Sequence, residues 1–190
     1  TEIVKALRLN KYIPQIPTTK QAAFLLLPQL EAFFGGSAGP GKSSSLLIGA
    51  LQYVDVPGYA AIIFRRTYAD LAKPGALMDR AGEWLSGTDA KWNGQSHAWR
   101  FPSGAQLVFS HLEHENSKYD HQSAEYQSIF FDELTAFSQS QYLYLFSRLR
   151  RLKDSAIPLR MRSASNPGNT GHQWVRQRFL IEGPTMGRPY

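Results

Sequence analysis

The sequence predicts an α/β layered fold with a mainly parallel sheet, and three observations carry that prediction. Short continuous apolar runs recur at Ala32-Phe33-Phe34, Ala60 to Phe64 and Ser128 to Phe131. Segments of helical period separate them, and strands alternating with helices indicate a layered α/β arrangement. The runs are continuous rather than alternating, which suits parallel strands covered on both faces.

Each element follows from local chemistry. Pro14 and Pro17 break residues 1–17 into an approach segment. Thr18 or Thr19 caps a helix from Lys20 to about Leu30. The first strand, Ala32 to Phe34, runs into a glycine-rich turn. Leu46, Leu47, Ala50, Leu51 and Val54 then recur at helical spacing. Pro57-Gly58 is a turn before the second strand, Ala60 to Phe64. Residues 75–86 read as a helix closing at Gly87. His97 to Phe101 and Ala105 to His111 flank Pro102-Ser103-Gly104, the signature of an inserted antiparallel hairpin. Residues 113–125 are polar, a loop or short helix. Ser128 to Phe131 is a buried strand ending in Asp132-Glu133. Tyr142, Leu145, Phe146 and Leu149 fall at i, i+3, i+4 and i+7 and predict a helix over 138–152. Leu159 to Ala164 reads as a strand that closes at Ser165-Asn166-Pro167-Gly168, and Gly171 to Leu180 as a helix. One domain is expected over 1–190, with its core at 18–180 and the start of a linker or lid at 181–190.

Composition narrows the function classes. The 190 residues include no cysteine, so disulfides, thiol nucleophiles and cysteine-held metals are excluded. That is compatible with a reducing cytoplasm. The net charge of +6 and pI near 9.6 permit nucleic-acid binding without establishing it. No apolar stretch approaches the ~18 residues of a membrane span, so no membrane partner is expected. The N-terminus, Thr1-Glu2-Ile3-Val4, lacks the regions of a secretion signal.

The glycine turn carries the chemistry. Gly36-Ser37-Ala38-Gly39-Pro40-Gly41-Lys42-Ser43 is a complete G-x-x-x-x-G-K-[ST] phosphate loop between a strand and a helix. Its glycines permit backbone conformations that turn N–H groups inward around phosphates, and the helix start adds its positive dipole end. Lys42 is placed on the β- and γ-phosphates, Ser43 on Mg²⁺, and Ser44 continues the nucleotide-binding run. ATP and Mg²⁺ are therefore the expected cofactors. The fold class sharpens to a P-loop NTPase of the RecA/ASCE-like type with flanking helices.

The strand ending in Asp132-Glu133 supplies the second half of the site. Asp132 is placed to hold the Mg²⁺ shell, and Glu133 to polarise a water for in-line attack on the γ-phosphate. The doubled acid favours hydrolysis over transfer to another acceptor. Ser165 and Asn166 follow another strand, where a hydroxyl or amide can touch the γ-phosphate; the same run is equally a strand-ending turn. Tyr144, Arg148 and Arg151 lie on one face of the expected helix, beside Arg150: a solvated face or an arginine finger for a neighbouring subunit. Arg65 and Arg66 end a strand at the expected active edge, where DNA or phosphate contacts are plausible. Gln21 alone reads as a surface glutamine.

In order and spacing, the runs Thr19-Lys20-Gln21, Gly35 to Ser44, Phe64 to Tyr68, Ile129 to Thr135, Gln141 to Arg151 and Ser165 to Gly168 resemble the large terminase subunits of tailed bacteriophages, the motors that package viral DNA. The resemblance covers about Thr18 to Leu180. It implies an ATP-hydrolysing domain acting on double-stranded DNA within a ring of identical subunits. A procapsid portal and a small terminase subunit are implied as partners, and the host cytoplasm during virion assembly as the location. It makes Gln21 an adenine contact, Ser165 and Asn166 a coupling motif, and Arg148 a trans-acting finger not cleanly separated from Arg150 or Arg151. Many such proteins carry an arginine two residues after the first loop glycine; here that position is Ala38, which makes an arginine from elsewhere more necessary. The nuclease domain usual in the family is expected to lie outside this chain, and no nuclease activity is assigned to it. Two other readings share the core physics: a helicase-like DNA-dependent ATPase, and a low-turnover nucleotide-binding assembly module.

Overall fold

The computed structural model describes residues 2–36 and 41–182. A seven-stranded sheet in the order β1-β7-β6-β2-β5-β4-β3 forms its centre. The strands are β1 (Glu31–Gly35), β2 (Ala60–Arg65), β3 (Lys91–Asn93), β4 (Ala98–Arg100), β5 (Gln106–His111), β6 (Ser128–Asp132) and β7 (Arg160–Ser165). β1, β7, β6, β2 and β5 run parallel; β4 adds antiparallel to β5, and β3 antiparallel to β4. The expected hairpin is thus β4–β5, but its second strand belongs to the parallel core. β3 extends the hairpin by three residues, too few to show a period in sequence.

Helices α1 (Glu2–Lys5), α2 (Thr19–Leu26), α3 (Lys42–Leu51), α4 (Tyr68–Ala72), α5 (Leu77–Leu85), α6 (Gln139–Phe146) and α7 (His172–Arg176) connect them. Neighbouring strand residues point to opposite layers. Ala32, Ile63 and Phe130 pack under Leu46, Leu47 and Ile48 of α3. Phe33, Phe64 and Phe131 pack under Tyr142 and Leu145 of α6 and Phe179. Ile62, Ile63 and Phe64 are all fully buried, as continuous apolar runs require.

Three expected helices end differently. Thr18 caps α2 through a reciprocal capping box with Gln21, but the helix stops at Leu26 because Pro28 cannot continue it. The helix expected over 75–86 is α5; before it, Thr67 caps an unexpected short helix, α4. The helix expected over 138–152 ends at Phe146. Leu149, read as its next apolar turn, instead bridges Tyr126 beside β6. Tyr126 donates to the Arg148 carbonyl at 3.1 Å and accepts from Arg150 N at 3.0 Å, so sheet-type pairing replaces the last helical turns. Arg148, Arg150 and Arg151 therefore do not share a helix face. α7 continues into a single π-helical turn over Gln177–Ile181.

The register sets up the site. Gly35 lies opposite Ser165, and Asp132 opposite Ala164. The C-terminal ends of β1, β7 and β6 thus meet at one edge, the crevice where ligands bind in open parallel sheets. Among the described residues, no helix is long and apolar enough to cross a membrane.

Candidate nucleotide and metal site

Gly36 leaves β1 at φ 149°, and Gly41 enters α3 at φ 122°. Ser37, Ala38, Gly39 and Pro40 lie outside the described residues. Gly41 is fixed from several sides: its carbonyl accepts from Gln21 Nε2 (2.8 Å), Ser45 N (2.9 Å) and Ser45 Oγ (2.6 Å). A Cβ at Gly41 would fall 2.8 Å from Gln21 Nε2, so both the backbone angle and the close approach call for glycine.

This gives Gln21 a different setting from the sequence reading. It is 3 % exposed rather than a surface residue. Its Oε1 accepts from Thr18 N at 2.8 Å while its Nε2 holds Gly41. The amide braces the junction of loop and helix, and one N–H remains to reach outward.

Lys42 is the first residue of α3, with Nζ 3.5 Å from the Gly36 carbonyl across the loop mouth. Ser43 Oγ donates to Asp132, 3.0 Å from Oδ1 and 3.2 Å from Oδ2. That contact joins the loop helix to the acid-bearing strand. A hydroxyl beside a buried carboxylate is a hard-oxygen donor pair, which fits a Mg²⁺ ion that keeps most of its water. Among the described residues, no group of three or more His, Cys, Asp or Glu offers an all-protein metal cage. Ser44 Oγ accepts from Arg80 at 2.7 Å.

Asp132 is 2 % exposed. Burial pushes its carboxyl above the ordinary value, opposed by the Arg65 charge and the Ser43 hydrogen bond, with neighbouring Glu133 adding to the rise. Arg65 Nε donates to Asp132 Oδ2 at 2.8 Å, and Arg65 also lies 3.8 Å from Glu133 Oε1. Arg66 leaves on the opposite face and donates to the Leu112 carbonyl (2.8 Å) and Gln141 Oε1 (3.2 Å). The two adjacent arginines are therefore separated: one reaches the acids, the other stitches the α6 layer.

Glu133 adopts left-handed backbone angles, φ 57° and ψ 53°. This region is uncommon for a side chain of its size, and such strain concentrates at functional sites. It turns the chain sharply off β6 and leaves the carboxylate about one-third exposed, at 33 %. Ser165 Oγ lies 3.5 Å from Glu133 Oε2 and 2.8 Å from Thr135 Oγ1. Thr135 escaped sequence reasoning, although it stands two residues beyond the acids. Beside it, the Asn166 amide oxygen is buried with no hydrogen-bond partner. This oxygen can only accept, so it suits a bound water or other donor arriving at the site.

Arg148 sits elsewhere. Its guanidinium lies 5.4 Å from the Tyr144 ring and donates to the Gln122 carbonyl. Its backbone pairs with Tyr126, at the opposite end of β6 from Asp132. Six residues at ~3.3 Å each put it roughly 20 Å from its own acids. It does not serve the phosphate loop of its own chain.

Comparison with known proteins identifies the family and the fold. A family model described as terminase large subunit, T4likevirus-type, N-terminal, matches residues 33–177. A search of curated protein sequences returned no match. Among solved structures, the large terminase from a thermophilic bacteriophage superposes with a TM-score of 0.66 at 14 % identity, covering 92 % of this chain and 45 % of that one. The same protein in complex with ADP gives 0.67 at 14 % identity, over 90 % and 44 %. The N-terminal domain of the DNA packaging ATPase from bacteriophage phi29 gives 0.56 at 16 % identity, over 81 % and 83 %. The chain spans less than half the length of the thermophilic phage's large terminase. The fold is the P-loop NTPase fold that the loop, the parallel sheet and the acid-ending strand imply. With the family model spanning most of its length, the chain belongs to the large terminase subunits of the T4likevirus type, in their N-terminal region.

Proposed function

We propose that this chain is the ATP-hydrolysing motor region of a DNA-packaging terminase, acting on double-stranded DNA as one subunit of a ring. The observation that carries the reading is the Ser43–Asp132 contact beside the strained Glu133. It supports a reading in which a phosphate cradle, a cation seat and a general base share one sheet edge. Membership in the terminase family and the likeness to an ADP complex support nucleotide as the ligand. The phi29 packaging motor assembly, similar at a TM-score of 0.52, supports assembly with other copies. A portal and a small subunit complete the partner set that the family implies.

Each residue has a part. Lys42 and the loop N–H groups bind and orient the phosphates. Ser43 and Asp132 hold the cation, which when bound neutralises charge on the β- and γ-phosphates. Glu133 orients a water in line with the γ-phosphate and accepts its proton. Ser165, tied to Glu133 and Thr135, and Asn166 register the γ-phosphate and pass its loss to α7 through the turn at 166–171. Arg148, half-buried and remote from its own loop, would exchange its Gln122 and Ser147 partners for a neighbouring subunit's phosphate. Gln21 holds the loop and offers its remaining N–H toward the base.

Glu133→Ala tests the assignment in assembled motor. Turnover should fall ~10³-fold, within the range of a lost general base, with ATP affinity kept. Unchanged turnover would remove Glu133 as base. Lys42→Ala should weaken nucleotide binding itself. For Arg148, doping Arg148→Ala subunits into Glu133→Ala rings should restore some turnover, since each variant lends what the other lacks; no recovery would argue against action in trans.

A further inference from the structure

Ala38 gives the phosphate loop no arginine, and Arg148 sits at the far end of the sheet. One guanidinium nonetheless reaches the acids. Arg65, the last residue of β2, sits beside Asp132 because β2 and β6 are neighbours in the sheet. Its Nε donates to Asp132 Oδ2 at 2.8 Å, the same oxygen that lies 3.2 Å from Ser43 Oγ. It reaches within 3.8 Å of Glu133, and its remaining arm donates to the Asp70 carbonyl of α4 at 3.1 Å.

These contacts conflict with a cation at the same place. A divalent ion held by Ser43 and Asp132 would share its carboxylate with a guanidinium about 3 Å from one oxygen. Two like charges that close, at a largely buried site, repel strongly. The conflict has an outlet. A cleft of about 360 Å³ opens beside the pair, lined by Gly41, Ser43, Arg65, Lys73, Arg80 and Asp132. Three cations face one buried acid there, a wall that attracts phosphate oxygens. Lys73 and Arg80 are committed to Asp70 and Ser44, at 2.6 and 2.7 Å. Arg65 has room to leave Asp132 for an anion that the loop holds in front of it.

We propose that Arg65 and the divalent cation are alternative partners of Asp132, and that metal–nucleotide binding moves the Arg65 guanidinium onto the terminal phosphate, supplying in cis the arginine that the loop lacks. This rests on the phosphate-site reading above. The move releases the Asp70 carbonyl, so it is felt directly by α4 and by the α4–α5 wall of the cleft. Arg65 thereby acts on two events: it holds the cation seat shut until nucleotide arrives, and it discriminates triphosphate from diphosphate afterwards.

The experiment measures Mn²⁺ binding by electron paramagnetic resonance, in the full chain, with and without a non-hydrolysable ATP analogue. Arg65→Gln should bind Mn²⁺ alone ~10-fold more tightly than wild type, because the competing charge is gone. The same variant should lose ~10-fold of the preference for the ATP analogue over ADP, because a charge-assisted contact to the terminal phosphate is gone. Arg65→Lys, which keeps a charge against Asp132 and so protects the fold, should keep Mn²⁺ binding near wild type while losing much of that preference. Mn²⁺ affinity unchanged or weaker in Arg65→Gln, or an unchanged triphosphate preference in both variants, would overturn the proposal. The two readings fail separately. If wild type shows no Lys42-dependent binding of the analogue, the phosphate site itself is wrong. If it does, and Arg65 leaves Mn²⁺ binding unmoved, only this inference falls.

Discussion

The two ends of the parallel strands bury charge in opposite ways. At the N-terminal end, Arg162 of β7 is 2 % exposed and points among backbone carbonyls. It donates to Leu27 (2.6 Å), Gln29 (3.0 Å), Leu30 and Met161 (both 3.2 Å), closing the turn that joins α2 to β1. None of these acceptors is ionisable, and none can exchange it for a ligand. At the C-terminal end, Asp132 is as deeply buried, but its partners are a hydroxyl and an arginine that borders an open cleft. Glu133 beside it is strained, and the Asn166 amide oxygen has no partner. One end spends its polar groups on holding the chain; the other keeps them exchangeable. That difference separates architecture from site better than burial alone does.

The first way to break the comparison is at its fixed end. Arg162→Ala takes the charged donor from the part-buried Leu27 and Gln29 carbonyls, a loss of about 3–5 kcal/mol at roughly 1.5–3 for each hydrogen bond to a charged group. Denaturant unfolding should show it as a lower midpoint with unchanged slope. A loss below about 1 kcal/mol would mean that Arg162 is not the clamp described. Nucleotide affinity per folded molecule should stay near wild type, which a site residue would not allow.

Next in size is Gly171, where α7 leaves the active edge. A Cβ there would fall 2.5 Å from the Phe137 carbonyl and 2.7 Å from that of Thr135. Gly171→Ala must push α7 off the turn after Glu133, with a cost of about 1–3 kcal/mol for overpacking. It should also lower turnover, because Thr135 on that turn is hydrogen-bonded to Ser165. Lost stability with unchanged turnover would separate α7 from the coupling path.

The smallest effect is a pH dependence in the α6 layer. His121 packs edge-on to Phe64 at 5.0 Å and contacts Ser110 and Tyr126. Burial pulls its imidazole below the ordinary value, with His111 acting the same way and Asp120 against. A depressed base favours the neutral folded form. Its contribution is therefore complete above the ordinary value near 6.5 and is lost as pH falls through the folded value. Stability should decline as pH falls below about 6.5, by no more than ~1.4 kcal/mol per pH unit. His121→Phe should flatten that slope; an unaltered slope would assign it to other groups.

Much of this was legible in the sequence, and what was missed has a common cause. The loop glycines, Lys42, Ser43 and the Asp132-Glu133 pair are local signals, written in adjacent residues or in a strand's own apolar run. The Arg65–Asp132 contact depends on β2 lying beside β6, a consequence of strand order that no local pattern records. No motif marks Arg162, because its partners are carbonyls of the distant turn between α2 and β1. Leu149 kept the helical period of α6, yet its burial comes from pairing with Tyr126, and this moved Arg148 off the expected helix face. A capping threonine for α2 was readable; that Gln21 completes the cap and braces Gly41 was not.

The central claim is that the Ser43–Asp132 pair is a cation seat serving the phosphate loop. Calorimetric titration of an ATP analogue, with and without Mg²⁺, tests it in wild type and Asp132→Asn. The account predicts that Mg²⁺ tightens binding to wild type by ~10-fold or more, as expected when a dication bridges phosphate and carboxylate. In Asp132→Asn that gain should vanish while Mg²⁺-free binding persists. An equal Mg²⁺ gain in both proteins would contradict the account.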